Sequence, residues 1–178
     1  MDNDWAGVFP ALMTEFRPDG ALDLDATGRH IESCLNAGIT GLVMLGTLGE
    51  NPSLYPEEKE KVLRMAVEVV AGRVPVLTGV AEYTTEMAIG HVRMAEKVGC
   101  DGLMVLPCMV YAQDQREAVT HFRTVAEATS LPIMIYNNRI GYKVDVSPES
   151  FNELANCANI VAVKESSHDS RRITDMFN

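Results

Sequence analysis

Only one tryptophan occurs in the 178 residues, and aromatic residues make up just 6% of the chain. Positive charge is also scarce: 15 Lys and Arg stand against 25 Asp and Glu, a formal net charge of −10. With no basic run, the chain lacks the electrostatic footprint of a general nucleic-acid binder. No apolar run approaches the roughly 20 residues that a membrane-spanning helix needs. The opening Met1-Asp2-Asn3-Asp4 carries none of the positive charge that starts a signal peptide, so no membrane partner is expected. The four cysteines (Cys34, Cys100, Cys108, Cys157) are irregularly spaced, and the four histidines are scattered. No metal-ligand spacing results. The cysteines read as reduced residues of a cytoplasmic protein.

What is present is a steady alternation of short apolar runs with amphipathic ones. Gly7 to Thr14 reads as a first strand, turned at Pro18-Asp19-Gly20. A helix from Leu22 to Asn36 follows, ended by Gly38, then a strand at Gly41-Leu42-Val43-Met44-Leu45. Pro56 opens a helix running to about Ala71, where Gly72 stops it. Val74 to Gly79 is a third strand, and Thr84 caps a helix to Val98. Gly102 to Leu106 is a fourth, and Asp114 with Glu117 forms a capping box for a helix through Ala128. Leu131 to Tyr136 is a fifth strand. After a long polar loop, Ser147 and Pro148 start another helix, Ile160 to Lys164 makes a sixth strand, and a last helix opens near Asp169.

Ala37-Gly38-Ile39-Thr40-Gly41-Leu42-Val43-Met44-Leu45 is echoed by Val98-Gly99-Cys100-Asp101-Gly102-Leu103-Met104-Val105-Leu106, 61 residues later and two strand–helix units on. At about 30 residues per unit, eight units need roughly 250 residues, the size of a closed (β/α)8 barrel. The 178 residues hold about six. The fold class is therefore α/β with a parallel sheet: a (β/α)8 barrel cut to about six units, or an open doubly wound sheet. Residues 1–178 read as one such partial barrel domain, with no linker.

Lys164 closes the apolar run Ile160-Val161-Ala162-Val163, which reads as a strand buried on both faces. The other four lysines (Lys59, Lys61, Lys97, Lys143) fall in polar helical or loop segments. At the carboxyl end of a parallel strand, a desolvated lysine can act as a neutral amine and attack a carbonyl. The plain alternative is an ion pair with a neighbour such as Glu165. Two other strand ends carry polar groups that would converge on Lys164 in a barrel. Gly46 and Gly49 free the Thr47 and Leu48 N–H groups to face a substrate carboxylate, or the loop is only a connection. Tyr136 can move a proton, or it is a core tyrosine with its hydroxyl bonded to backbone.

Gly46-Thr47-Leu48-Gly49-Glu50, Tyr136-Asn137-Asn138 and Val161-Ala162-Val163-Lys164-Glu165-Ser166-Ser167 resemble the dihydrodipicolinate synthase / N-acetylneuraminate lyase family, in its order and spacing. The resemblance runs from Gly7 onward. It implies a (β/α)8 barrel with a C-terminal helical extension, usually a homotetramer, of which this sequence resembles the first six units. It also implies that Lys164 is the Schiff-base lysine, Tyr136 the catalytic tyrosine and Thr47 the hydroxyl of a proton relay. No metal or organic cofactor is implied.

The sequence departs from the founding synthase of that family. Its paired threonines become Thr47-Leu48, and Met109 takes the place of a tyrosine lent to the neighbouring subunit, with Tyr111 two residues late. Arg139 replaces a proline, and Gly141 replaces an arginine that receives the second substrate. Leu106-Pro107-Cys108-Met109-Val110-Tyr111 and Tyr142-Lys143-Val144-Asp145 look more like members that act on a cyclic imine. The expected substrate is thus a small 2-oxo acid or a cyclic imino acid. Deamination of 1-pyrroline-4-hydroxy-2-carboxylate to 2,5-dioxopentanoate comes first. Dihydrodipicolinate synthase-like chemistry, or a 2-oxo-3-deoxy-sugar-acid aldolase or dehydratase, is the alternative. A non-catalytic α/β binding module is the alternative of another class, and a reversal of strand order would favour it. Six sequential units alone would leave strands one and six as open edges. The expectation is a chain inactive by itself and stable only with that side covered, by a second copy or by further C-terminal sequence.

Overall fold

The computed structural model describes residues 5–108 and 110–177. Met109 and Met1 to Asp4 therefore lie outside the described residues. Among the described residues, five parallel strands form one sheet: β1 (Leu42–Met44), β2 (Val76–Val80), β3 (Gly102–Val105), β4 (Ile133–Asn137) and β5 (Ile160–Glu165). Their order in space is their order in sequence, β1-β2-β3-β4-β5. That order is the one a barrel produces, and it removes the reversal that an open doubly wound sheet requires. Helices α1 (Leu24–Asn36), α2 (Pro56–Val70), α3 (Thr85–Val98), α4 (Gln115–Glu127) and α6 (Pro148–Leu154) alternate with the strands.

Strands β1 to β3 are buried along their whole length because both of their faces are covered. On the outer face, Leu42, Met44, Val76, Leu103, Val105, Ile133 and Ile135 pack in one core with helix residues such as Ile31, Leu63 and Phe122. On the inner face, Val43, Leu77 and Met104 form a second cluster, joined by Trp5, Phe9, Met134 and Tyr136. The helix starts follow the caps read from the sequence. Thr84 accepts from Met87 N, Ser147 accepts from Ser150 N, and Asp114 and Glu117 bond each other's backbone N–H at 2.8 and 3.0 Å. Among the described residues, no helix is long and apolar enough to cross a membrane.

Four expectations are corrected. The first strand does not form as such: residues 7–14 run extended beside β1 with one bridge, Ala11 to Val43. Pro10 accepts from Val43 N at 2.9 Å but has no N–H to continue a ladder. The sixth strand of the sequence, β5, is not buried on both faces, since Val161 and Val163 are 42% and 38% exposed. The polar loop after β4 contains a one-turn helix, α5 (Arg139–Tyr142), begun by Asn138 Oδ1 accepting from Gly141 N at 2.9 Å. Finally, the polar helical segment of Lys59 is buried at that position: Lys59 is 5% exposed and bonded to Glu82 at 2.6 Å.

Candidate active site

The register of the sheet sets Tyr136 of β4 directly beside Lys164 of β5. Both project into the barrel interior, at the carboxyl ends of their strands. Lys164 Nζ lies 4.1 Å from the centre of the Tyr136 ring and 3.9 Å from Met104 Sδ. An ammonium over a phenol face is an attractive arrangement. Among the described residues, no carboxylate lies within ion-pair distance of Lys164. Glu165 is committed elsewhere: it accepts from Asn137 Nδ2 at 2.8 Å and Ser167 N at 2.9 Å, and Arg172 Nε stands 3.6 Å away. The ion-pair reading of Lys164 with Glu165 does not match this geometry.

Burial works against ionisation of Tyr136, but polar contacts from Ser166 and Asn138 and the charge of Lys164 outweigh it, so its pKa lies below the ordinary phenol value. Asn138 Nδ2 donates to its hydroxyl at 3.2 Å. Tyr142, at the end of α5, meets the Tyr136 ring edge to face, with centroids 5.5 Å apart at 83°. Its hydroxyl is hydrogen-bonded to Thr47 Oγ1. Burial, more than any other cause, raises the Tyr142 phenol above its ordinary value. Thr47 and Tyr136, expected as partners, are thus linked through a residue that sequence reasoning assigned no role.

The loop carrying Thr47 is built by a backbone reversal at the end of β1. Leu45 takes a left-handed φ of 51°, uncommon for a branched residue. Gly46 O then accepts from Gly49 N at 3.0 Å, while Thr14 Oγ1 donates to Gly49 O at 2.8 Å. Among the described residues, the N–H groups of Thr47 and Leu48 donate to no protein acceptor, which leaves them open to an anion. Gly79 of β2 lies against this turn. A Cβ there would stand 2.3 Å from Leu45 O, so only glycine fits.

Below the site, Asn137 holds the α5 segment to the sheet. Fully buried, it donates to Asp145 at 3.1 Å and to Glu165, and accepts from Val146 N at 3.0 Å. Arg172 of α7 (Arg171–Phe177) closes the same cluster at 2.6 Å from Asp145. Two residues singled out by sequence stay outside the centre. Tyr111 is 55% exposed and bonded to Glu117 at 3.1 Å, and Arg139 lies 3.8 Å from Asp145 on the surface.

Comparison with known proteins follows the same lines. The Dihydrodipicolinate synthetase family matches residues 4–178. A 4-hydroxy-tetrahydrodipicolinate synthase of Chelativorans sp. (strain BNC1) is 41% identical over 170 residues, covering 95% of this chain and 58% of that relative. The dihydrodipicolinate synthase of Aquifex aeolicus superposes with a TM-score of 0.92 at 37% identity, covering 96% of this chain and 58% of that one. YagE, a prophage protein of the dihydrodipicolinic acid synthase family from E. coli K12 solved in complex with pyruvate, gives a TM-score of 0.92 at 30% identity, covering 97% and 58%. The chain spans a little over half the length of the relatives it matches. It belongs to the dihydrodipicolinate synthetase family.

Proposed function

We propose that the protein carrying this chain is a lyase that forms an imine between Lys164 and C2 of a small 2-oxo acid. The observation that carries this reading is the pairing of Lys164 with Tyr136 at the carboxyl end of the sheet, with no carboxylate bound to the amine among the described residues. The Lys164 nitrogen would add to C2, and loss of water would leave an iminium that acts as an electron sink and acidifies C3. Tyr136, whose phenol gives up its proton more readily than usual, would move the proton at that carbon. The free N–H groups of Thr47 and Leu48, with Gly46 at the turn, would hold the substrate carboxylate.

Pyruvate is the first candidate, since the YagE structure holds it. The synthase names of the relatives favour a synthase-like reaction of the enamine with a second carbonyl or imine. They support that alternative better than the deamination of 1-pyrroline-4-hydroxy-2-carboxylate placed first from the sequence. Borohydride reduction of the intact protein with pyruvate tests the imine. The expected result is one covalent adduct on Lys164 that is absent in Lys164→Ala. An unmodified Lys164, or full activity in Lys164→Ala, would refute the proposal. Assaying pyruvate consumption against a panel of aldehydes, beside ammonia release from the pyrroline acid, separates the two reactions.

A further inference from the structure

We infer that Tyr142 is a positioning residue of the proton path, carrying a proton from Thr47 to Tyr136 within a single chain. The assignment presupposes the Lys164 imine proposed above. Its basis is geometric. Tyr142 Oη is hydrogen-bonded to Thr47 Oγ1, and its ring meets the Tyr136 ring at 5.5 Å. Tyr136 in turn stands beside Lys164. Thr47 is exposed, so the outer end of this path reaches water, while Tyr136 and Tyr142 are half-buried. The one-turn helix α5 puts Tyr142 there. Asn138 begins that turn, and Lys143, in a left-handed conformation with φ 59°, ends it.

The two phenols are also driven apart. Tyr142 is raised, chiefly by burial, and Tyr136 lies below its ordinary value because its polar contacts, Tyr142 among them, outweigh burial. Such a split assigns roles: Tyr136 exchanges protons with the substrate, and Tyr142, protonated at rest, resupplies Tyr136 and is itself restored from Thr47.

The step balances as follows. The Lys164 nitrogen bonds to C2, the carbonyl π pair moves to oxygen, and that oxygen takes the Tyr136 phenol proton. In a concerted shift Tyr136 takes the Tyr142 proton, Tyr142 takes the Thr47 proton, and water restores Thr47. The added nitrogen releases its surplus proton to water, so the net count is unchanged. A second passage protonates the carbinolamine hydroxyl, which leaves as water while the C2=N bond forms.

Tyr142→Phe keeps the ring contact and removes only the oxygen. In the intact protein, with pyruvate and borohydride, it should slow adduct formation about 10²-fold with the pyruvate KM within about twofold and the melting temperature unchanged. Thr47→Val should slow it similarly, and the double variant should lose little more than either single one. If Tyr142→Phe fails to fold, Thr47→Val with a normal rate overturns the inference. So does Tyr142→Phe at wild-type rate, or a double variant whose losses multiply. Lys164→Ala is run alongside. An adduct persisting there defeats the imine reading itself, whereas its absence with an unaffected Tyr142→Phe defeats only the role of Tyr142.

Discussion

Gly79→Ala should damage the site without altering any polar side chain. The added Cβ would stand 2.3 Å from Leu45 O, 2.8 Å from Leu45 C and 2.8 Å from Gly46 Cα. Ordinary carbon–oxygen contacts begin at about 3.3 Å, so the shortfall is about 1 Å. All three atoms are backbone, and none can rotate away as a flexible side chain would. Relief requires the exit of β1 to move outward, where Leu45 already holds a left-handed φ of 51°. Overpacking of this kind costs about 1–3 kcal/mol, which lowers the melting temperature of a chain this size by about 3–10 °C. The same displacement moves the Thr47 and Leu48 N–H groups, and an error of about 1 Å in a reacting geometry costs about 10²-fold in rate. Calorimetry and the borohydride-trapping rate with pyruvate are the two assays. Gly90→Ala is the control: nothing lies within 4 Å of a Cβ there, mid-helix in α3, so it should stabilise by about 0.5–1 kcal/mol. Gly79→Ala with the stability and trapping rate of the parent protein would refute the reasoning.

Acid should destabilise the buried chain of Lys59, Glu82 and His91. Burial holds His91 below the ordinary imidazole value of 6.5, so its neutral form stabilises the fold above that pH and the contribution fades as pH falls below 6.5. Glu82 resists burial through its bonds to His91 and Lys59 and lies below 4.5, so its contribution is present above 4.5 and is lost as pH falls further. Melting temperatures from pH 8 to 4 should therefore decline through both ranges, and a flat profile would contradict the pairing. Lys59→Met should cost about 3–5 kcal/mol in urea denaturation by leaving Glu82 charged and short of a partner, and Glu82→Leu added to it should recover much of the loss. A thiol reagent at pH 8 should label Cys34 and Cys157 before Cys100, whose thiol burial and the Asp101 charge push up to about 12. Early labelling of Cys100 would show that its β3 end opens freely.

Much of the architecture was legible because local signals and tertiary packing agree. Thr84, the Asp114–Glu117 box and the Ser147-Pro148 start are satisfied by bonds within four residues, so the sequence alone carries them. The strand order could be argued from the steady alternation of β and α units, whose right-handed crossovers lay each strand beside the last. The burial of β5 was not legible. Four apolar residues in a row announce a covered strand, but nothing local says whether a helix lies over the outer face, and Val161 and Val163 stay exposed. The burial of Lys59 was not legible for a related reason. Its neighbours in α2 are Glu58 and Glu60, which suggest a solvated face, whereas its partner Glu82 is 23 residues away.

The site divides along the same line. Lys164 and Tyr136 stand at strand ends, where position along the chain already predicts convergence, and the sheet register brings them side by side. Tyr142 could not be found that way, because it sits on no strand and belongs to no periodic pattern. Its place depends on a single turn, begun by Asn138 and ended by Lys143, that folds the chain back over the mouth of the barrel. A signal was present in principle. Asn-Arg-Ile-Gly pairs a good N-cap with the Gly141 N–H three residues on, and a one-turn helix there returns the next side chain toward the strand it left. What makes that return durable is the Asn137 cluster, in which one fully buried amide ties Asp145, Val146 and Glu165 together. The residue next to Tyr136 thus fixes the segment that carries its ring partner, Tyr142. Because Asn137 also bonds Glu165, next to Lys164, Asn137→Ala is expected to slow borohydride trapping with pyruvate, and a parental trapping rate would contradict this.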